Sequence, residues 1–126
     1  MITILVVDDA ADCIATLEVA LGALVGVEVR GVSSAEEALG VLDFGTVSAM
    51  ITDVQLPGIS GLDLVTRVRG DARWRALPVV VISADANPDT PQTALRMGAD
   101  AFFAKPFSPA AVRRKLEELM YAKSSA

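Results

Sequence analysis

Histidine is absent from this 126-residue chain, and cysteine, tryptophan and tyrosine occur once each. Without histidine, neither a Ser-His nucleophile pair nor a His-ligated zinc site can be built within the chain. The lone Cys13 excludes an internal disulfide and any multi-cysteine metal cluster. Long apolar runs are also missing, since none approaches the ~20 residues of a membrane span. The opening segment, MITILVVDD, has no basic region or small-residue cleavage site of the signal-peptide kind. Positive charge is in deficit: 11 Lys+Arg stand against 16 Asp+Glu, for a net charge of −5. That balance argues against direct nucleic-acid binding, which leaves a basic footprint. The arginines do cluster, at Arg67, Arg69, Arg73 and Arg75 and again at Arg113 and Arg114, and are expected to form solvated helix or loop faces. Together these absences favour a soluble cytoplasmic domain that touches no membrane.

Apolar material is plentiful, at 52% of residues and a mean hydropathy of +0.48, enough to fill one core in a single domain of this length. Its arrangement alternates between two periods. Ile2 to Val7 is a short, nearly continuous apolar run, as expected of a strand buried on both faces. Ile14, Leu17, Leu21 and Leu24 then recur at helical spacing, with Gly26 as a stop. Val27 to Val32 suggests a second strand. Ser33 or Ser34, three residues before Glu36 and Glu37, can open a helix through a capping box, and that helix is expected to bury Ala38, Leu39, Val41 and Leu42.

Val47 to Thr52 is the third strand. Ser60 is placed to cap a helix with Leu62, Val65 and Val68 inward and Gly70 at its end. A polar connection carrying Trp74, expected to be a local anchor, leads to a fourth strand at Val79 to Ile82. Two prolines, Pro88 and Pro91, then complicate the next helix, because a proline beyond the first turn removes a hydrogen bond. Thr90 as cap and Pro91 at the first position leave about two turns before Gly98, after a long, loose loop. Met97 is expected in the core. Ala101 to Ala104 is a fifth strand, and Ser108-Pro109 starts a last helix lined by Val112, Leu116, Leu119 and Met120. Five strand–helix alternations imply a parallel sheet covered by helices on both faces. Residues 123–126 are expected to be a disordered tail.

Polar residues fall at the strand ends. Strand one ends at Asp8 and Asp9, strand three at Asp53, strand four at Ser83 and strand five at Lys105. Ligands of open parallel sheets bind outside the carboxyl ends of the strands. Three carboxylates without histidine or clustered thiols suit a hard cation, and Mg²⁺ is the default. At ~4 Å and an effective dielectric near 20, like charges repel by about 4 kcal/mol. A phosphoryl group could approach such carboxylates only with a divalent ion and an amine such as Lys105 beside them.

The pair Asp8-Asp9, Asp53 before Leu56-Pro57-Gly58, Ser83-Ala84, the Gly98-to-Phe102 element and Lys105-Pro106-Phe107 together resemble a response-regulator receiver domain of two-component phosphorelay systems. The resemblance runs over residues 1–122 and implies a flavodoxin-like (βα)5 sandwich with strand order 2-1-3-4-5. Asp53 would be the phosphoacceptor, taking a phosphoryl group from the phosphohistidine of a histidine kinase or histidine phosphotransfer protein and later losing it slowly. Asp9, Asp53 and the backbone carbonyl of Gln55 would ligate Mg²⁺, with Asp8 acting through a bound water. Lys105, Ser83 and the Ala84 N–H would hold phosphoryl oxygens. Ser83 and Phe102 would form a switch that alters the face of helix four, strand five and helix five for an output partner. Pro106 would follow a cis peptide bond, and the domain would be a monomer or a weak phosphorylation-dependent dimer.

Serine at 83 keeps the hydroxyl of the family's commoner threonine but lacks its χ1 stiffness. Gln55 and Asp85 flank the site and are placed to tune hydrolysis. Cys13 is expected to be a small packing residue. The competing readings are a degenerate receiver used only as a binding module, an aspartyl-phosphate phosphatase and a flavodoxin-like redox carrier. The phosphatase would need an aspartate where Gln55 stands, and the carrier a hydroxyl- and glycine-rich loop in place of Asp8-Asp9.

Overall fold

The computed structural model describes residues 2–124. Five strands alternate with five helices: β1 (Ile2–Val7), α1 (Ala11–Leu21), β2 (Val27–Val32), α2 (Ala35–Phe44), β3 (Ala49–Asp53), α3 (Gly61–Arg69), β4 (Val79–Ser83), α4 (Thr90–Met97), β5 (Ala101–Ala104) and α5 (Pro109–Ser124), with a 3₁₀ turn at Ala72–Trp74. All strand pairs are parallel, and the order is β2-β1-β3-β4-β5. The alternation implied the parallel sheet between helices, and the resemblance its flavodoxin-like strand order.

Period-two alternation divides the core into two layers. Leu5, Val7, Met50, Val79 and Val81 face α2, α3 and α4, while Ile4, Val6, Ile51, Val80 and Ile82 face α1 and α5. The central strands β3 and β4 are buried at every position, as their unbroken apolar runs require. Leu17 and Leu21 are the buried residues of α1, and Val112 and Leu116 those of α5 among the described residues.

Several helix ends follow their sequence signals. Ser34 Oγ accepts from Glu37 N–H at 3.1 Å, Ser60 Oγ from Asp63 N–H at 3.1 Å, and Ser108 Oγ from Ala111 N–H at 3.2 Å. Each bond satisfies one of the donors left open in a first turn. Gly98 closes α4 at φ 119°, in the left-handed region that favours glycine.

Several expectations about the helices need correction. On α3, Leu64 is fully buried while Leu62 is only half-buried, so the inner stripe is Leu64, Val65 and Val68. In α4 the cap is Asp89, and Thr90 and Pro91 occupy the first two helical positions. Both positions tolerate proline, because neither N–H has an intrahelical partner. Met97 is half-buried rather than central. Finally, α5 includes positions 123 and 124 of the expected tail, and positions 125 and 126 lie outside the described residues.

Arg69 also departs from the solvated arginine cluster. Its Nε donates to Gly98 O at 2.8 Å, and its Nη1 donates to the carbonyls of Trp74, Arg75 and Leu77. Its Nη2 meets Asp100 Oδ2 at 3.0 Å, and the same oxygen accepts from Val79 N–H at 2.9 Å. One guanidinium thus ties α3 to the starts of β4 and β5. Trp74 is the expected anchor: it packs against the α2–α4 layer, with Arg73 stacked 4.2 Å from its ring centroid.

Candidate functional site

The sheet register brings the polar residues together. Val7 pairs with Thr52, Asp53 with Ile82, and Ser83 with Ala104. Asp8, Asp53, Ser83 and Lys105 therefore sit within one residue of the same edge. Asp8 and Ser83 are fully buried, Asp53 is 6% exposed, and Asp9 projects to solvent.

Asp8, Asp9 and Asp53 each place a carboxylate oxygen within 4.8 Å of the others. Three oxygens so close repel by roughly 3–4 kcal/mol per pair at an effective dielectric near 20. Part of that is offset by Lys105, whose Nζ donates to Asp8 Oδ2 at 2.8 Å and to Asp53 Oδ2 at 3.0 Å. Burial alone would lower the Lys105 pKa, yet its bonds to Asp8 and Asp53 outweigh that and hold it above its ordinary value. Asp8 shows the mirror image. Burial pushes its carboxyl up, but hydrogen bonds from Lys105, Cys13 and the Ala10 N–H bring it below the usual value.

The three carboxylates form a set of hard oxygen donors, which fits Mg²⁺ and offers nothing to a softer ion. Cys13 lines the edge of this cluster. Its thiol is pushed up to about 12, first by burial and then by its bond to Asp8, so it is a protonated donor rather than a thiolate ligand. It is the small packing residue expected, with an added contact to Asp8.

The turn after β3 is shaped for Asp53. Gln55 N–H donates to Asp53 Oδ1 at 3.3 Å, and Gly61 N–H donates to Val54 O at 2.8 Å. A Cβ on Gly61 would lie 1.7 Å from the Asp53 carbonyl oxygen, so only glycine lets the start of α3 close over Asp53. In the sequence Gly61 is a glycine after a serine cap and carries no mark of this role.

On the opposite side, Lys105 N–H donates to Ser83 O at 2.8 Å, and the Lys105–Pro106 bond is cis, as expected. Ala84 is exposed beside Ser83, and Phe102 lies half-buried against the α2–α4 layer, opposite Val81 in the register. The loop from 84 to 89 is not loosely held. Ser83 Oγ, Asp85 and Asn87 accept in succession from the amides of Asp85, Asn87 and Asp89, each at 2.9 Å. Asn and Asp side chains commonly bond amides two residues on, and here they order the loop that leads into α4.

The family model for the response regulator receiver domain matches residues 4–117. This chain belongs to that family. Among relatives, Chemotaxis protein CheY1 of Helicobacter pylori is 32% identical over 118 residues, covering 93% of this chain and 95% of that protein. Chemotaxis protein CheY of Pseudomonas aeruginosa is 34% identical over 82 residues, 65% of this chain and 66% of that protein. Among solved structures, the chemotaxis response regulator CheY4 of Vibrio cholerae superposes with a TM-score of 0.84 at 25% identity, covering 94% of this chain and 98% of that one. A CheY-like receiver from Methanospirillum hungatei gives a TM-score of 0.89 at 22% identity, over 99% of this chain and 98% of that one, which speaks to the fold alone. The receiver of two-component signalling thus has its acidic pocket at Asp8, Asp9 and Asp53.

Proposed function

We propose that this receiver accepts a phosphoryl group on Asp53 from the phosphohistidine of a histidine kinase or phosphotransfer protein, and signals by the change that follows. The carrying observation is the Lys105 ammonium held between Asp8 and Asp53, at 2.8 and 3.0 Å, beside three converging carboxylates. An Asp53 carboxylate oxygen attacks phosphorus as the P–N bond breaks. The electron pair stays on the donor imidazole, which takes up a proton. Lys105 moves with the incoming charge from Asp53 toward a phosphoryl oxygen, while Ser83 Oγ–H and the Ala84 N–H bond the other oxygens. Such transfer is mainly positioning and electrostatic stabilisation, so no group of unusual basicity is needed.

Asp8, Asp9, Asp53 and the carbonyl of Gln55 would hold Mg²⁺, with Asp8 contributing through water; when bound, the ion neutralises phosphoryl charge. Recruitment of Ser83 would let Phe102 turn inward and alter the α4–β5–α5 face for an output partner. Slow hydrolysis of the aspartyl phosphate by water would reset the domain. A phosphatase reading is not favoured, because exposed Gln55 stands where that chemistry needs a second carboxyl. Incubation with phosphoramidate, a small P–N donor, and Mg²⁺ followed by peptide mapping tests the acceptor. Modification is expected on the peptide holding Asp53, and modification elsewhere or none would overturn the proposal.

A further inference from the structure

The ladder between β4 and α4 has one rung that the chemistry above leaves unexplained. Asp85 N–H donates to Ser83 Oγ at 2.9 Å. The Asp85 carboxylate is itself held at both oxygens, by Asn87 N–H at 2.9 Å and by the Thr90 hydroxyl at 3.0 Å. Thr90 is the first residue of α4 and only 7% exposed, whereas Asp85 is half-buried. Its backbone is also tied to the loop, with Thr90 N–H on Asn87 O at 3.2 Å. A buried hydroxyl therefore joins the helix to the residue whose amide holds Ser83 Oγ. Serine has no β-branch to fix χ1, so hydrogen bonds rather than sterics set the direction of its hydroxyl.

We propose that Thr90 is a positioning residue for the phosphoryl site, its hydroxyl holding Ser83 in the resting arrangement through Asp85. The inference rests on Asp53 as phosphoacceptor and adds a control over that site. With the rung in place, drawing Ser83 and the following loop toward a phosphoryl group costs the Thr90–Asp85 bond. Without it, the resting state loses stability that the phosphorylated state never had. A ligand that binds one of two states gains apparent affinity when the other is weakened. Thr90 thus sets how readily the site closes, without touching the phosphoryl group.

The test is beryllofluoride, a phosphoryl mimic, titrated with Mg²⁺ into the full chain and followed by amide NMR shifts. Thr90→Val keeps volume and branching but removes the hydroxyl, and water can reach the half-buried Asp85 oxygen it leaves. Thr90→Val is expected to bind beryllofluoride about five-fold more tightly than wild type, the worth of one modest hydrogen bond. Thr90→Ser, which restores the hydroxyl, should return to within about two-fold of wild type. Asp85→Ala breaks the same rung from the other side and should shift affinity in the same direction, with no further gain in the double variant. Unchanged or weaker binding by Thr90→Val, or failure of Thr90→Ser to restore the wild-type value, would overturn the role of Thr90. Failure of wild type to bind at all would instead remove the phosphoacceptor reading, and this inference with it.

Discussion

The two ends of this sheet each hold a half-buried cation, and they hold it in opposite ways. At the amino end of β4 and β5, Arg69 donates to four backbone carbonyls and the Asp100 carboxylate. At the carboxyl end, Lys105 bonds two carboxylates. Guanidinium is planar with donors in a fixed fork, so Arg69 matches one arrangement of backbone. An ammonium is compact, with rotatable donors, and can exchange one oxygen for another at little cost. One end of the sheet is built to stay, and the other to change partners.

Damage at the two ends should therefore differ in kind. The largest expected effect is Gly61→Ala, whose Cβ would sit 1.7 Å from the Asp53 carbonyl oxygen. Because backbone must move to admit it, a loss of roughly 4 kcal/mol is expected by denaturant unfolding. A loss below about 1 kcal/mol would mean the turn is softer than its contacts suggest. Arg69→Met comes next, at about 3 kcal/mol, since it strands carbonyls and a carboxylate together. Phosphorylation of the folded fraction by a small donor should survive Arg69→Met, and its loss would break the division between the two ends.

Acid should act on the carboxyl end with a smaller effect. The Asp8 pKa is lowered from its ordinary 3.8 in the folded protein, so its contribution is present above that value and is lost as pH falls through the folded one. Melting temperature should drop on acidification below about pH 4, and the Asp8 share of that drop should shrink in Lys105→Met, which removes one of the bonds that lower the Asp8 pKa. A pH profile identical in wild type and Lys105→Met would contradict the pairing. Smallest for stability is Asp9→Asn, within about 0.5 kcal/mol because Asp9 is exposed. Its Mg²⁺ affinity should nonetheless fall by more than the ~10-fold typical of losing an outer-shell partner. Equal affinity by calorimetry would remove Asp9 from the metal site.

The carboxyl end was the more legible of the two in the sequence, for a physical reason. Strand ends are marked by where apolar runs stop, and Asp8, Asp9, Asp53, Ser83 and Lys105 are the residues at those stops. Their convergence follows from parallel topology. The amino-end clamp has no such mark, because Arg69 finds its acceptors 5 to 31 residues away, mostly among carbonyls that every residue carries. Gly61 was invisible for a similar reason, since its role is a close approach to backbone. The Asn87–Pro91 loop showed its prolines, which suggested looseness. Its side-chain ladder depends on loop geometry that composition does not reveal.

The most direct measurement is intact mass after incubation with a small acyl-phosphate donor, with and without Mg²⁺, for wild type and Asp53→Asn. Wild type is expected to gain the mass of one phosphoryl group in the presence of Mg²⁺, to lose that gain with a chelator, and Asp53→Asn to gain nothing. An unmodified wild type beside a control receiver that reacts, or an Asp53→Asn protein modified to the same extent, would contradict Asp53 as the acceptor.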